Sequence, residues 1–254
     1  MWAELQGAVG VITGGAGAIG SETAAVFAEH GVTVAIADIV DPSPVVARID
    51  SAGGRALGVQ ADMNDPDAVD RMVTDVLEFS GGRIDFLINF AGLFNDVPRV
   101  PFWEIDLAMW DSVVESNVRT AFLATRAVSE PMRAAGHGRI VHVSSNTAAF
   151  GMGNFLHYTS AKAALVGMAR SMARELGPFG IAVNAVGPGL VHTPAVVAAQ
   201  EQKYLDLVVN GQCLRQPIVQ RDIVDAVAFL VSPASRMVTG QTLLVNGGAT
   251  MGSF

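Results

Sequence analysis

Cysteine is almost missing from this 254-residue chain, which has Cys213 alone. One thiol excludes an internal disulfide framework and any multi-cysteine metal site, and it fits a reducing compartment. Charge is sparse as well, at 16% of residues, and the balance is acidic, with a formal net charge of −8. No run of Lys or Arg occurs, so nothing is at hand to neutralise the phosphates of a nucleic acid, and that class of partner is set aside. His30, His137, His142, His157 and His192 show no zinc-type spacing, so no metal is expected. The opening residues, Met1-Trp2-Ala3-Glu4, lack the basic region and apolar core of a secretory signal. The longest uncharged stretch, Leu176 to Gln200, could span a bilayer by length, but Pro178, Asn184, Pro188 and Pro194 interrupt it. The expectation is a soluble cytoplasmic protein with no membrane contact. A Ser/Pro-rich linker and internal repeats are also lacking, so a single domain is expected over residues 1–254.

What is present is apolar: half of the residues are hydrophobic, enough for an extensive core. Short β-branched runs alternate with longer amphipathic stretches. Strands are expected at Val9–Ile12, Val32–Ala37, Arg55–Ala61, Ile84–Asn89, Arg139–Val143, Ile181–Val186 and Thr242–Val245. Helices are expected at Ile19–Glu29, after the Ser43-Pro44 and Asp65-Pro66 pairs read as N-cap and first turn, near Trp110–Met132, and from His157 to Leu176. Apolar strands separated by helices imply an α/β, doubly wound fold. A parallel sheet of about seven strands is then covered on both faces, with its ligand crevice at the carboxyl ends of the strands.

The first strand runs into Thr13-Gly14-Gly15-Ala16-Gly17-Ala18-Ile19-Gly20 and directly into a helix. Glycines let such a turn be tight and let the backbone approach a pyrophosphate, to which the helix N-terminus offers unpaired N–H groups. No Gly-Lys-Ser/Thr follows, which disfavours a P-loop. Asp38 ends the second strand about 20 residues later, where a carboxylate can bond the adenosine ribose hydroxyls and repel a 2′-phosphate. Gly17 and Ile39 offer that phosphate no cation, so NAD is expected over NADP.

Tyr158 and Lys162 stand four apart on one face of the helix from His157, so the ammonium can approach the phenol. A nearby cation lowers a tyrosine pKa and suits it to general acid/base work. Ser144-Ser145 ends an apolar strand upstream, at the expected crevice.

Taken together, the chain resembles the short-chain dehydrogenase/reductase family over nearly its whole length. The residues that carry the likeness are Thr13-Gly14…Gly20, Asp62, Asn89-Phe90-Ala91-Gly92, Asn117, and Ser145 thirteen residues before Tyr158, with Lys162. Downstream come Asn184-Ala185-Val186-Gly187-Pro188-Gly189, Thr193 and Thr239-Gly240-Gln241. The resemblance implies a Rossmann fold and a homotetramer packed through the two long helices. It implies that Ser145 holds the substrate oxygen, that Tyr158 exchanges its proton, and that Lys162 binds the nicotinamide ribose and depresses the tyrosine pKa. Asn117 is implied to anchor a water in a proton relay. The implied cofactor contacts are Gly14, Gly17, Ala18, Ile19, Gly20, Asp38 and Ile39 at the first two strands, and Asp62 and Met63 at the adenine. Asn89, Ala91 and Gly92 follow at the ribose region with Tyr158 and Lys162, and Pro188, Gly189, Val191 and Thr193 at the carboxamide. Two positions depart from the family pattern. Ala18 stands where the fingerprint has its second glycine, and Phe90 replaces the second asparagine of Asn-Asn-Ala-Gly; both bear on cofactor affinity rather than on the reaction type.

Pocket walls are expected from 93–100, 146–155 and a substrate-binding loop and helix region at about 190–216. Phe94, Asn146, Phe150, Met152, Phe155, Val191, Val196 and Val197 give them an apolar character. That favours a hydrophobic secondary alcohol and its ketone, with aryl or cyclic carbinols as candidates. Two alternatives stand beside this reading: an NADPH-dependent reductase of 3-oxoacyl thioesters, and a non-catalytic NAD sensor on the same fold. Cys213 reads as a small, partly buried thiol, and Met168 and Met172 as core or subunit contacts.

Overall fold

The computed structural model describes residues 1–94 and 96–252. Asn95, within the expected pocket segment 93–100, and Ser253 and Phe254, at the end of the expected domain, lie outside the described residues. Seven strands form one sheet: β1 Val9–Thr13, β2 Thr33–Asp38, β3 Arg55–Gln60, β4 Phe86–Asn89, β5 Gly138–Val143, β6 Ile181–Pro188 and β7 Thr242–Val245. Their order is β3-β2-β1-β4-β5-β6-β7, and every neighbouring pair is parallel. Parallel neighbours cannot be joined by tight turns, so the chain crosses over through helices. These are α1 Ala18–Glu29, α2 Ser43–Ser51, α3 Pro66–Ser80, α4 Leu107–Val114, α5 Thr120–Ala135, α6 Thr147–Phe150, α7 Leu156–Leu176, α8 Pro194–Ala199, α9 Gln202–Asn210 and α10 Gln220–Val231.

Burial follows from this layering. Successive side chains of a strand point to opposite faces, and both faces of the central strands are covered. Ile12, Ile36, Ile88 and Val141 pack with Phe27 of α1 and Val224 and Val227 of α10. Their neighbours Val11, Ala35, Leu87 and Ile140 pack with Met72 of α3, Leu123 and Val128 of α5, and Ala169 of α7. β3 lies at the sheet edge and alternates between partly buried and exposed positions, unlike the apolar-throughout pattern of β1.

The chain winds outward from β1 to β3, then returns to place β4 on the other side of β1. In register, Thr13 pairs with both Ala37 and Asn89, so the ends of the three strands meet at this switch point. A crevice opens there because the connections on its two sides diverge.

Three local details differ from the sequence expectation. Asp65 caps α3 as expected, accepting from the Asp67 N–H at 3.0 Å. Ser43, by contrast, is the first residue inside α2, because Asp41 already accepts the Ser43 N–H at 2.9 Å and turns the chain earlier. The helix expected near Trp110–Met132 is two helices joined by a wide π turn at Glu115–Arg119. Cys213 is exposed rather than partly buried, its thiol donating to the Gly248 carbonyl at 3.3 Å.

Among the described residues no helix is long and apolar enough to cross a membrane, and no group of His, Cys, Asp and Glu could hold a metal ion.

Candidate active site

The glycine turn at the end of β1 is as tight as its composition suggests. Gly14 has a φ of +65°, and a Cβ there would lie 2.6 Å from the Ala91 nitrogen of the neighbouring strand end. A Cβ on Gly20 would lie 2.3 Å from the Gly14 carbonyl oxygen, so α1 can start this close to β1 only with glycine at both places. No side chain caps α1, which leaves its first N–H groups free for an anion. Ala18 opens that helix with its side chain exposed, so its methyl group causes no crowding within the turn. Asp38 reaches across from β2: its carboxylate accepts the Ala16 N–H at 2.8 Å and the Val40 N–H at 3.0 Å. A carboxylate has about four acceptor positions, so two bonds to backbone leave room for ribose hydroxyls.

Four polar side chains converge beyond the turn. Tyr158 lies on the first turns of α7 and is only 5% exposed, stacked on Phe155 with centroids 4.6 Å apart and tilted against Phe94 at 5.5 Å. Lys162, one turn further, is buried; its Nζ sits 5.6 Å from the Tyr158 ring centre and donates to the Val143 carbonyl at 3.0 Å. Ser145 follows β5, its Oγ accepting from the backbone N–H and hydroxyl of Thr147 at 3.2 and 3.1 Å. Ser144 ties this strand end to α7 by donating to the Lys162 carbonyl at 2.7 Å.

Asn117 comes from the π turn and is fully buried. Its Nδ2 donates to the Val113 and Leu93 carbonyls at 3.0 and 3.3 Å, while its Oδ1 has no partner. A Cβ on Gly92 would fall 2.4 Å from that Oδ1 and 3.4 Å from Lys162 Nζ. Both polar atoms therefore flank the same point of the backbone, and only glycine fits between them.

Burial dominates the electrostatics of Tyr158 and Lys162. Burial pushes the Tyr158 phenol well above its usual value, against the opposing effect of a hydrogen bond with Ser145. Burial also pulls Lys162 down to about 8. Desolvation dominates the Tyr158 shift, which makes Tyr158 a proton donor at neutral pH.

A cavity of about 620 Å³ joins Ser145, Tyr158 and Lys162 to the glycine turn, a size suited to a small molecule; Asn117 lies behind its wall. Phe94, Asn146, Phe150, Met152, Phe155 and Val196 all line it, as do Pro188, Gly189, Val191 and Thr193. Thr193 also caps α8, its Oγ1 accepting the Val196 N–H at 3.2 Å. Val197, expected beside Val196, is half exposed and lies off the wall.

Asp38, Ile39, Asp62, Met63, Asn89 and Ala91 are off the wall too. Ile39 is 65% exposed, and Asp62 is exposed with its Oδ1 accepting the Asn64 N–H at 2.8 Å. Met63 packs in the core against α3. The Asn89 side chain turns into the sheet, where it accepts from Thr13 at 3.3 Å and pairs with His142 Nδ1 at 3.1 Å.

The sequence reading did not include Ala249 and Thr250, which line the cavity from beyond β7. Asn146 holds them there: its Oδ1 accepts from Asn246 Nδ2 at 2.9 Å and from the Thr250 hydroxyl. Their place depends on a contact a hundred residues away in sequence, which no local pattern announces. Tyr204, Leu207 and Val208 of α9 fall within the expected region at about 190–216 but were not singled out, although their spacing marks one helix face turned to the cavity.

Comparison with known proteins gives one family model matching residues 14–250, described as enoyl-(acyl carrier protein) reductase. The chain is 40% identical to the (2S)-[(R)-hydroxy(phenyl)methyl]succinyl-CoA dehydrogenase subunit BbsD of Thauera aromatica, over 97% of this chain and 98% of that protein. It is 37% identical to the cis-4-hydroxycyclohexanecarboxylate dehydrogenase of Sinomonas cyclohexanicum, over 95% and 96%. Among solved structures, a 7α-hydroxysteroid dehydrogenase in complex with NADH and 7-oxoglycochenodeoxycholic acid superposes with a TM-score of 0.91. Identity is 31%, over 97% of this chain and 95% of that one.

Proposed function

The chain belongs to the short-chain dehydrogenase/reductase family, and on that premise we propose that it interconverts a hydrophobic secondary alcohol and its ketone, with NAD(H) as cofactor and Tyr158 as acid/base. As a family member it is an oxidoreductase of CH–OH groups that uses a nicotinamide cofactor. The observation that carries the finer reading is the convergence of Ser145, Tyr158 and Lys162 on an apolar cavity that reaches the glycine turn, with Asn117 buried behind its wall at Gly92.

The residues present fit a nicotinamide dinucleotide. The uncapped start of α1 and the Gly14, Gly17, Ala18, Ile19 and Gly20 backbone would hold its pyrophosphate. Asp38, next to Ile39, would take the adenosine ribose and repel a 2′-phosphate, which is the ground for NAD over NADP. Asp62 would meet the adenine with its exposed side chain, and Met63, whose side chain is in the core, could border it only by backbone. Asn89, Ala91 and Gly92 would border the ribose by backbone, and Pro188, Gly189, Val191 and Thr193 would receive the carboxamide. When bound, the nicotinamide supplies or accepts the hydride.

Everything else falls to the chain's own groups. Ser145 would donate a hydrogen bond to the substrate oxygen and stabilise charge gathering there. Tyr158, held neutral by burial, would give that oxygen its proton in ketone reduction and reclaim it in alcohol oxidation. Lys162 would stabilise the phenolate as it forms, and with its own pKa near 8 it could pass a proton on. The unpartnered Oδ1 of Asn117, near Lys162 Nζ, is the natural holder of a water in that path. The apolar walls, together with relatives named for a benzylic and a cyclohexyl carbinol, support an aryl or cyclic substrate. A homotetramer located in the cytoplasm completes the reading.

The test is a panel of cyclic and aryl secondary alcohols, followed by NADH formation at mildly alkaline pH. Tyr158→Phe should lower kcat by about a thousandfold or more while NADH still binds by fluorescence titration. Wild-type inactivity across the panel would leave a binding protein instead. Better kcat/KM with NADPH than with NADH would favour a reductase of 3-oxoacyl thioesters.

A further inference from the structure

Charge around the cavity is strongly one-sided. Among the described residues only Arg99 and Lys162 bring charge to its lining, and no Asp or Glu does, although the chain as a whole carries −8. Lys162 is buried beside Tyr158, where it donates to the Val143 carbonyl and serves the proposed proton transfer. Arg99 has neither an ion pair nor a side-chain hydrogen bond among the described residues. Its guanidinium lies 5.2 Å from the centre of the Phe155 ring instead. Phe155 in turn stacks on Tyr158 at 4.6 Å, so cation, ring and phenol form a short ladder along one wall. A cation held over a ring face keeps its N–H donors unspent. Phe94 and Met152 make the ground beside this ladder apolar.

We infer that the substrate carries a carboxylate, received by Arg99, and that an apolar, ring-sized spacer separates it from the carbinol carbon at Tyr158. The enzyme then acts on hydroxy acids and their oxo acids. The inference rests on the hydride-transfer reading above and adds the substrate class to it. A carboxylate suits this place better than a phosphate. One guanidinium fork matches one carboxylate with two parallel bonds, whereas a phosphate dianion calls for several donors. Because Arg99 is exposed, solvent screens the pair, and the preference should be of the order of tenfold rather than thousandfold.

The experiment compares 4-oxocyclohexanecarboxylate with 4-oxocyclohexanecarboxamide, a pair of similar shape and different charge. Initial rates are taken with the full chain, with NADH and with NADPH. Wild type should favour the acid by about tenfold or more in kcat/KM, through KM, and added salt should erode the preference. In Arg99→Gln the acid-to-amide ratio should fall toward one, and in Arg99→Lys it should return in part. A wild-type ratio near one, or a ratio unchanged in Arg99→Gln, overturns the inference. Turnover of neutral ketones without turnover of oxo acids overturns it as well, while leaving the hydride-transfer reading intact. Inactivity on oxo acids and neutral ketones alike, with both cofactors, sinks both.

Discussion

At the scale of single residues, the telling side chains are those whose burial sets their protonation. His142 on β5 is wholly buried, its Nδ1 accepting from Asn89 and its Nε2 without a partner. Burial, aided by the nearby Lys162 charge, pulls it from 6.5 to about 4. The unfolded chain therefore binds this proton more tightly than the folded one between about pH 4 and 6.5. Stability is full above 6.5 and is lost as the pH falls through that window, by about 3 kcal/mol at most. Carboxylates add their own acid dependence, so the difference between wild type and His142→Asn is what should be read. Calorimetric Tm values at several pH values across that window should fall more steeply for wild type than for the variant. Parallel curves would mean that His142 accepts its proton without cost. The sequence named Ser145, Tyr158, Lys162 and Asn117 as the proposed set through the family's motifs, with Tyr158 and Lys162 on one helix face and Ser145 just beyond a strand. The direction of the Tyr158 shift was not legible there, since spacing reveals a neighbouring charge but not the depth at which the phenol is buried.

At the scale of elements, periodicity revealed all seven strands to within a residue or two, because a two-sided parallel sheet leaves long apolar runs. It joined α4 and α5 into one helix, since a π turn needs only one extra residue and changes no residue pattern. That extra residue is what aims Asn117 inward, where its Nδ2 takes the Val113 carbonyl and its Oδ1 stays open toward Lys162. The geometry tolerates no side chain on the facing strand end, where an added methyl at Gly92 would meet Asn117 Oδ1 at 2.4 Å. Gly92→Ala should therefore push Asn117 and Lys162 apart and lower kcat by about ten- to a hundredfold, with a smaller change in KM. Circular dichroism should remain that of the wild type. An unchanged kcat would show that the position of Asn117 is not limiting.

At the scale of the whole molecule, the core buries most of the branched apolar side chains of the sheet, while several large apolar side chains stay exposed, four of them between Phe102 and Phe122. Phe102 and Trp103 are 63% and 73% exposed and pack edge to face on each other, with ring centroids 5.1 Å apart. Leu107, at the start of α4, is 80% exposed, and Phe122 on α5 is 45% exposed. Large apolar side chains exposed on neighbouring elements are what a homo-oligomer contact covers. These elements include the helices through which the proposed homotetramer would pack. Sedimentation velocity should then give four times the 26.5 kDa of one chain. Placing acids at Trp103 and Leu107 together should shift the protein toward smaller species by burying charge in the contact. Both positions are exposed in the single chain, so its fold should survive, and an unaltered circular dichroism spectrum checks that. A wild-type protein that sediments as one chain, or a doubly substituted protein that stays tetrameric, would remove this surface from the assembly and leave its exposure unexplained.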